Sequence, residues 1–169
     1  MITWLRAASE RRPARVDGPP AEGAQGARVE SDLGAGSIVL AGPRGDVALV
    51  WKAGDGRRER LLPPGDYRLR TTRSERTEKG EHWFVSSTGP PGEPRALEPG
   101  EVARFEVDDS VHFEGQARWQ HGSLQLGFAV KGADGRGLSV YRAGRRVPVD
   151  YALLDRAGEV LTGGRMNYG

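Results

Sequence analysis

The most regular stretch of the chain runs from Leu61 to Thr72, where the turn residues Pro63-Pro64-Gly65-Asp66 lead into an alternating run. Tyr67, Leu69 and Thr71 fall on one side of an extended backbone and Arg68, Arg70 and Thr72 on the other, so the spacing predicts a strand with one buried and one wet face. The same period recurs along the chain. Ser37–Ala41 and Asp46–Lys52 read as strands joined across Gly42-Pro43-Arg44-Gly45, the second with the apolar run of a central strand. Arg57–Leu62 is a charged strand expected at an edge, and Ser74–Gly80 a charged connection. Glu81–Ser87 and Glu101–Val107 are further strands, the latter offering Val102, Phe105 or Val107 to the core. Leu97-Glu98-Pro99-Gly100-Glu101 repeats the corner at Leu62–Asp66.

Beyond a seam at Asp108-Asp109-Ser110, Val111–Gln120 and Ser123–Lys131 form the clearest hairpin, with His121-Gly122 at its tip and Leu124, Leu126, Phe128 and Val130 pointing one way. Leu138–Tyr141 is a short strand, Arg142–Pro148 a basic connection, and Val149–Asp155 pairs with Glu159–Met166 across Arg156-Ala157-Gly158. At the other end, Thr3–Arg12 suits a short helix capped by Thr3, and Pro13–Asp32, poor in branched residues, reads as a disordered or extended linker. Ordered structure is expected from about Ser37.

Composition sharpens this picture. Among 169 residues, 25 Gly and 11 Pro favour many short strands over long helices. The 25 basic and 23 acidic residues nearly cancel, which argues against a polyanion binder by bulk charge. Their distribution is uneven: Arg57–Lys79 carries net +4 and Glu93–Glu114 net −5. Of the basic residues 22 are Arg, scattered rather than grouped with stacking aromatics, so no nucleic-acid surface is indicated. The absence of Cys excludes disulfides and thiolate chemistry. No apolar run is long enough for a transmembrane helix and Met1–Arg12 has no signal-peptide core, so the expectation is a soluble chain without an export address, cytoplasmic by default or of the cell envelope if the true start lies upstream.

Candidate chemistry is sparse. His82 and His112, with Glu114 two residues from His112, could bind a metal if their strands were neighbours. No Ser lies in a nucleophile elbow, and Gly132-Ala133-Asp134-Gly135-Arg136-Gly137 lacks the strand-to-helix setting of a phosphate loop. No catalytic set, cofactor or metal is therefore predicted. Arg142, Arg145 and Arg146, with Arg136, give the one loop region of a single sign, a candidate for an anionic partner. Arg68 and Arg70 line a polar strand face, and Trp83 and Trp119, if outward, would make a sugar-stacking platform.

The segment Val47–Val107, through its hydrophobe-Pro-Gly-x-Tyr-x-Leu corner at Leu62–Leu69, resembles transthyretin-like, carboxypeptidase-regulatory-like and PEGA-type β-sandwich modules. That resemblance implies an accessory, adhesive or structural role. Leu124–Gly169 looks like an uncharacterised β-domain of bacterial envelope proteins, through Arg145-Arg146-Val147-Pro148 and the closing pattern x-Tyr-x-Leu-Leu-Asp-x-x-Gly-x-Val-Leu-x-x-Gly, matched from Asp150 to the Gly163-Gly164 pair. Chains of that kind continue past the terminal Tyr-Gly with a Cys-bearing segment, which implies that this chain ends early. The prediction is an all-β, antiparallel β-sandwich with a flexible N-terminal arm (1–35) and modules at 36–108 and 109–169, packed as two small units or one continuous domain. Its expected function is non-catalytic binding or structure, recognising a protein or anionic partner. The alternatives are a carbohydrate-binding module using exposed Trp and, further off, a small metal-dependent enzyme.

Overall fold

The computed structural model describes residues 13–17, 25–55, 59–88, 92–107 and 110–166; the helix expected at Thr3–Arg12 and the seam residues Asp108 and Asp109 lie outside them. The described residues are all-β. The strands are β1 (Ala14–Asp17), β2 (Ala27–Ser31), β3 (Gly36–Gly42), β4 (Gly45–Trp51), β5 (Glu59–Leu62), β6 (Gly65–Glu78), β7 (Glu81–Thr88), β8 (Arg95–Leu97), β9 (Val102–Phe105), β10 (His112–Gln120), β11 (Ser123–Lys131), β12 (Gly137–Arg142), β13 (Arg145–Arg146), β14 (Val149–Leu154) and β15 (Val160–Met166). A main sheet runs β1-β4-β3-β6-β7-β12-β11-β10, with β13 on β12 and β8 on β6. A second sheet has the order β5-β2-β9, and β14-β15 stand as a hairpin of their own. The main sheet crosses the expected seam, since β7 pairs antiparallel with β12 from Trp83↔Arg142 to Thr88↔Gly137.

Alternation decides which side chains meet. Ile38 pairs with Leu49 and Leu40 with Leu69, so β3, β4 and β6 turn one apolar face inward. Ala27 and Val29 of β2, Leu62 of β5 and Ala103 of β9 cover that face, and Leu33, Trp51, Tyr67 and Leu97 complete the buried cluster. The interior therefore lies between one end of the main sheet and the three-stranded layer, which is a β-sandwich core. Arg60, expected on a charged edge strand, is on an edge but turns inward and is only 1% exposed. Its guanidinium lies over Trp51 and donates to Val50 O, Glu59 O and Asp55 Oδ2, so the buried charge is paired and its donors are used. The Lys52 N–H and this guanidinium together hold the Asp55 carboxyl below its ordinary value.

The corner at Leu62–Tyr67 shows why its residues are needed. Leu62 and Tyr67 are buried on either side of an exposed Pro63-Pro64 pair, and the Tyr67 hydroxyl donates to Pro63 O at 3.0 Å, tying the strand back to its own turn. Gly65 has φ near 150°, and a Cβ there would meet the Pro43 ring at 2.9 Å. No residue of β3 stands opposite Arg70, where the β3–β6 register shifts between Val39 and Leu40. That bulge exchanges the faces: Tyr67 and then Thr72 point inward, whereas plain alternation put Thr71 there.

Three other expectations are corrected. The linker predicted at Pro13–Asp32 contains β1, paired parallel with β4, and β2, the central strand of the second sheet. Within β2 only small residues face the core, and a Cβ on Gly26 would come within 2.6 Å of Leu62 O, so the strand owes its place to distant partners and not to local propensity. Ser74–Gly80 is not a connection: β6 continues to Glu78, and Lys79-Gly80, both with positive φ, form the two-residue turn into β7. In β9 the buried residue is Ala103, while Val102 is 49% exposed and Phe105 and Val107 pack at the margin. The hairpins at Gly42–Gly45, His121-Gly122 and Arg156–Gly158 form as expected.

If β2 is structural, Val29→Ala should cost about 2 kcal/mol in chemical denaturation and Arg28→Ala, on the exposed side, less than about 0.5 kcal/mol. Equal and negligible effects would restore the linker reading.

Candidate binding surfaces

The side chains singled out from sequence occupy three separate places. Arg68 and Arg70 project from the exposed face of β6, with Arg70 Nη1 2.8 Å from Asp46 Oδ2. Arg70 O also accepts from the Arg136 guanidinium. At the opposite end of β12, Arg142 makes a two-pronged pair with Glu81, Nη2 donating to Oε1 at 2.8 Å and Nε to Oε2, and lies over the Trp83 ring. Arg146 donates to Ser139 Oγ at 2.9 Å, and Arg145 is exposed beside the Ala143-Gly144 turn. Trp119 is 71% exposed near the far tip of β10. The structure thus brings Trp83 and Arg142 together, but leaves Arg68, Arg70 and Trp119 elsewhere. Trp83 and Trp119 form no joint platform, because β12 and β11 stand between their strands.

The same two strands separate His82 from His112, and this corrects the proposed His82/His112/Glu114 grouping. His82 Nε2 is 3.2 Å from Glu75 Oε2, and Glu114 pairs with Lys131 Nζ at 2.7 Å. Among the described residues no three metal-ligating side chains gather.

A basic cleft of about 540 Å³ emerges where β4 ends and β6 meets β7. Four cationic side chains line it, Arg15, Lys52, Arg73 and Arg76, against the single carboxylate of Glu75. Its framework is ordered by stacking: Phe84 lies on Tyr141 with centroids 4.3 Å apart, and the Arg73 guanidinium lies 3.8 Å over Phe84. Arg73 Nε is 2.7 Å from Glu75 Oε1, and the other Glu75 oxygen reaches His82, so the carboxylate fixes two of the walls. Gly36 permits this closeness, since a Cβ there would fall 1.9 Å from Arg73 O. The sequence signal for Arg73 and Arg76 is the net +4 of Arg57–Lys79, but Arg15 and Lys52 lie outside that run, and reading Ser74–Gly80 as a connection hides the strand that gathers them.

A second surface is apolar. Phe113, Trp119 and Leu124 are 63%, 71% and 41% exposed, and all lie on one face of the β10–β11 hairpin. Toward the base of that hairpin a cleft of about 410 Å³ is lined by Phe113, Phe128, Val149, Tyr151 and Met166. The β14–β15 hairpin on its other side carries Leu154, Val160 and Leu161 exposed.

The Arg142 pair makes one prediction. Its hydrogen bonds hold the Glu81 carboxyl below its usual value. A carboxylate depressed in the folded state stabilises above its unfolded pKa, and that contribution is lost as pH falls through the folded value. Glu81→Gln should therefore flatten the loss of Tm on acidification through the carboxylate range; an unchanged slope in thermal melts would contradict the pairing. No family model, curated protein or solved structure matches the chain, so its functional reading rests on the geometry above.

Proposed function

We propose that the protein is a non-catalytic β-domain that binds a carboxylate-rich segment of a partner protein in the basic cleft. The observation that carries this reading is the excess of Lys and Arg over acid in a cleft whose framework is fixed by the Arg73–Phe84–Tyr141 stack. Arginine presents a planar fork that matches carboxylates, and a cleft lined by one sign of charge concentrates ligands of the other. Four cationic side chains against one carboxylate offer a partner charge and hydrogen-bond donors, which supports recognition as the chemistry of the site. The accessory role implied by the transthyretin-like resemblance accords with it. The Arg142–Arg146 region contributes less, because Arg142 is already satisfied by Glu81 and Arg146 by Ser139 within the chain.

The test is fluorescence anisotropy with a fluorescein-labelled oligoglutamate peptide at low and high salt. Binding should weaken with salt, and Lys52→Glu/Arg76→Glu should lower affinity about tenfold or more, while Arg145→Glu changes it by less than about threefold. Absence of binding by the wild type, or equal losses in both variants, would overturn the proposal.

A further inference from the structure

We propose that the protein forms a homodimer in which β10 of one chain pairs antiparallel with β10 of a second copy about a two-fold axis at Gln116. β10 is the outermost strand of the main sheet, and its outer edge has no partner strand among the described residues. Exposed edges are usually blunted by Pro, Lys, a bulge or short length. This one runs nine residues, His112–Gln120, contains neither Pro nor Lys, and keeps an unbroken register with β11.

The order of residues in β10 matches its own reverse. Antiparallel pairing about Gln116 sets Glu114 opposite Arg118 of the second copy, and the two-fold repeats that pair with opposite sense. It likewise sets Phe113 opposite Trp119, Gly115 opposite Ala117 and His112 opposite Gln120, each twice. Opposite charges and aromatic pairs placed across strands are favourable, and like charges there are not. The aromatic pairs lie on the apolar face, where Phe113 and Trp119 are 63% and 71% exposed in the single chain, and the charge pairs lie on the polar face. A Cβ on Gly115 would meet nothing within 4 Å, so the apolar face beside the middle of this strand is uncovered, with room there for the side chains of an added strand.

The hydrogen-bond parity fits as well. In the β12–β13 hairpin, which also has a two-residue turn with positive φ, Val147 N–H donates to Val140 O two residues before the pair that flanks the turn. The same parity in β10–β11 turns the amides of His112, Glu114, Gln116, Arg118 and Gln120 toward β11, and those of Phe113, Gly115, Ala117 and Trp119 toward the open edge. Gln116 then faces its copy as a non-hydrogen-bonded pair, with Cα atoms about 4.5 Å apart. The two Glu114–Arg118 pairs are of this closer kind.

The experiment is sedimentation equilibrium on the full chain from about 1 to about 100 μM, with circular dichroism confirming the fold of each variant. Wild type should reach twice the 18.3 kDa chain mass. Glu114→Arg alone and Arg118→Glu alone set like charges opposite one another and should each weaken association about tenfold or more. An equimolar mixture of the two variants should restore it, since both cross-strand pairs are then of opposite sign. The chain has no Cys, so Gln116→Cys introduces a single thiol, and mild oxidation should link two copies through it far more completely than through Gln125→Cys on β11. A wild type that stays monomeric, single variants that associate as well as wild type, or equal linking at 116 and 125 would each overturn the proposal.

Discussion

A strand can satisfy its backbone with neighbours in the plane of the sheet, but its apolar side chains need a second layer, and here that layer is three strands wide against a main sheet of ten. The mismatch organises the molecule. Where β5-β2-β9 lies over β4, β3 and β6, Ile38, Leu40, Leu49 and Trp51 are buried almost completely. Where the cover ends, burial falls away along the same sheet. Ser87 and Leu138 are still enclosed, but along β11 exposure rises from buried Val130 to exposed Leu124 at the tip. The protein is thus closed at one end and presents an apolar face at the other.

The two ends also differ in how charge is handled. Within the covered half, Arg60, the one deeply buried charge among the described residues, is surrounded by acceptors and an aromatic face. At the junction where β6 leaves the cover, side chains change from apolar to charged, and the sheet is held by backbone pairing with β7 and by stacking of Arg73 on Phe84. The basic cleft forms there for that reason: strand geometry continues after the need for apolar residues has stopped. Tyr67, whose burial raises its hydroxyl pKa, anchors the covered side of the same strand.

How much of this was legible in the sequence follows from the range of each interaction. Alternation and turn chemistry are local, so the hairpin at His121-Gly122, the strand at Tyr67 and Leu69, and the closing β14–β15 pair could be read directly. β2 could not, because its core-facing Ala27, Val29 and Ser31 gain their environment from β5 and from β9, which lies more than seventy residues further along the chain. The bulge at Arg70 shifted Thr71 and Thr72 for the same reason, since register is set by the partner strand. Site residues divide in the same way. The charge excess of Arg57–Lys79 was visible, but the partners that neutralise Arg70 and Arg142, Asp46 and Glu81, and the neighbours that gather Arg15, Lys52, Arg73 and Arg76, are fixed only by topology.

Amide hydrogen exchange on dilute protein tests the unequal cover most directly, because protection reports local opening strand by strand. The slowest exchange should fall in β2, β3, β4 and the first half of β6, with β14–β15 and the tip of β10–β11 exchanging far faster. Rapid exchange through residues 27–31, or protection spread evenly from β3 to β15, would contradict an interior built between β2 and one end of the main sheet.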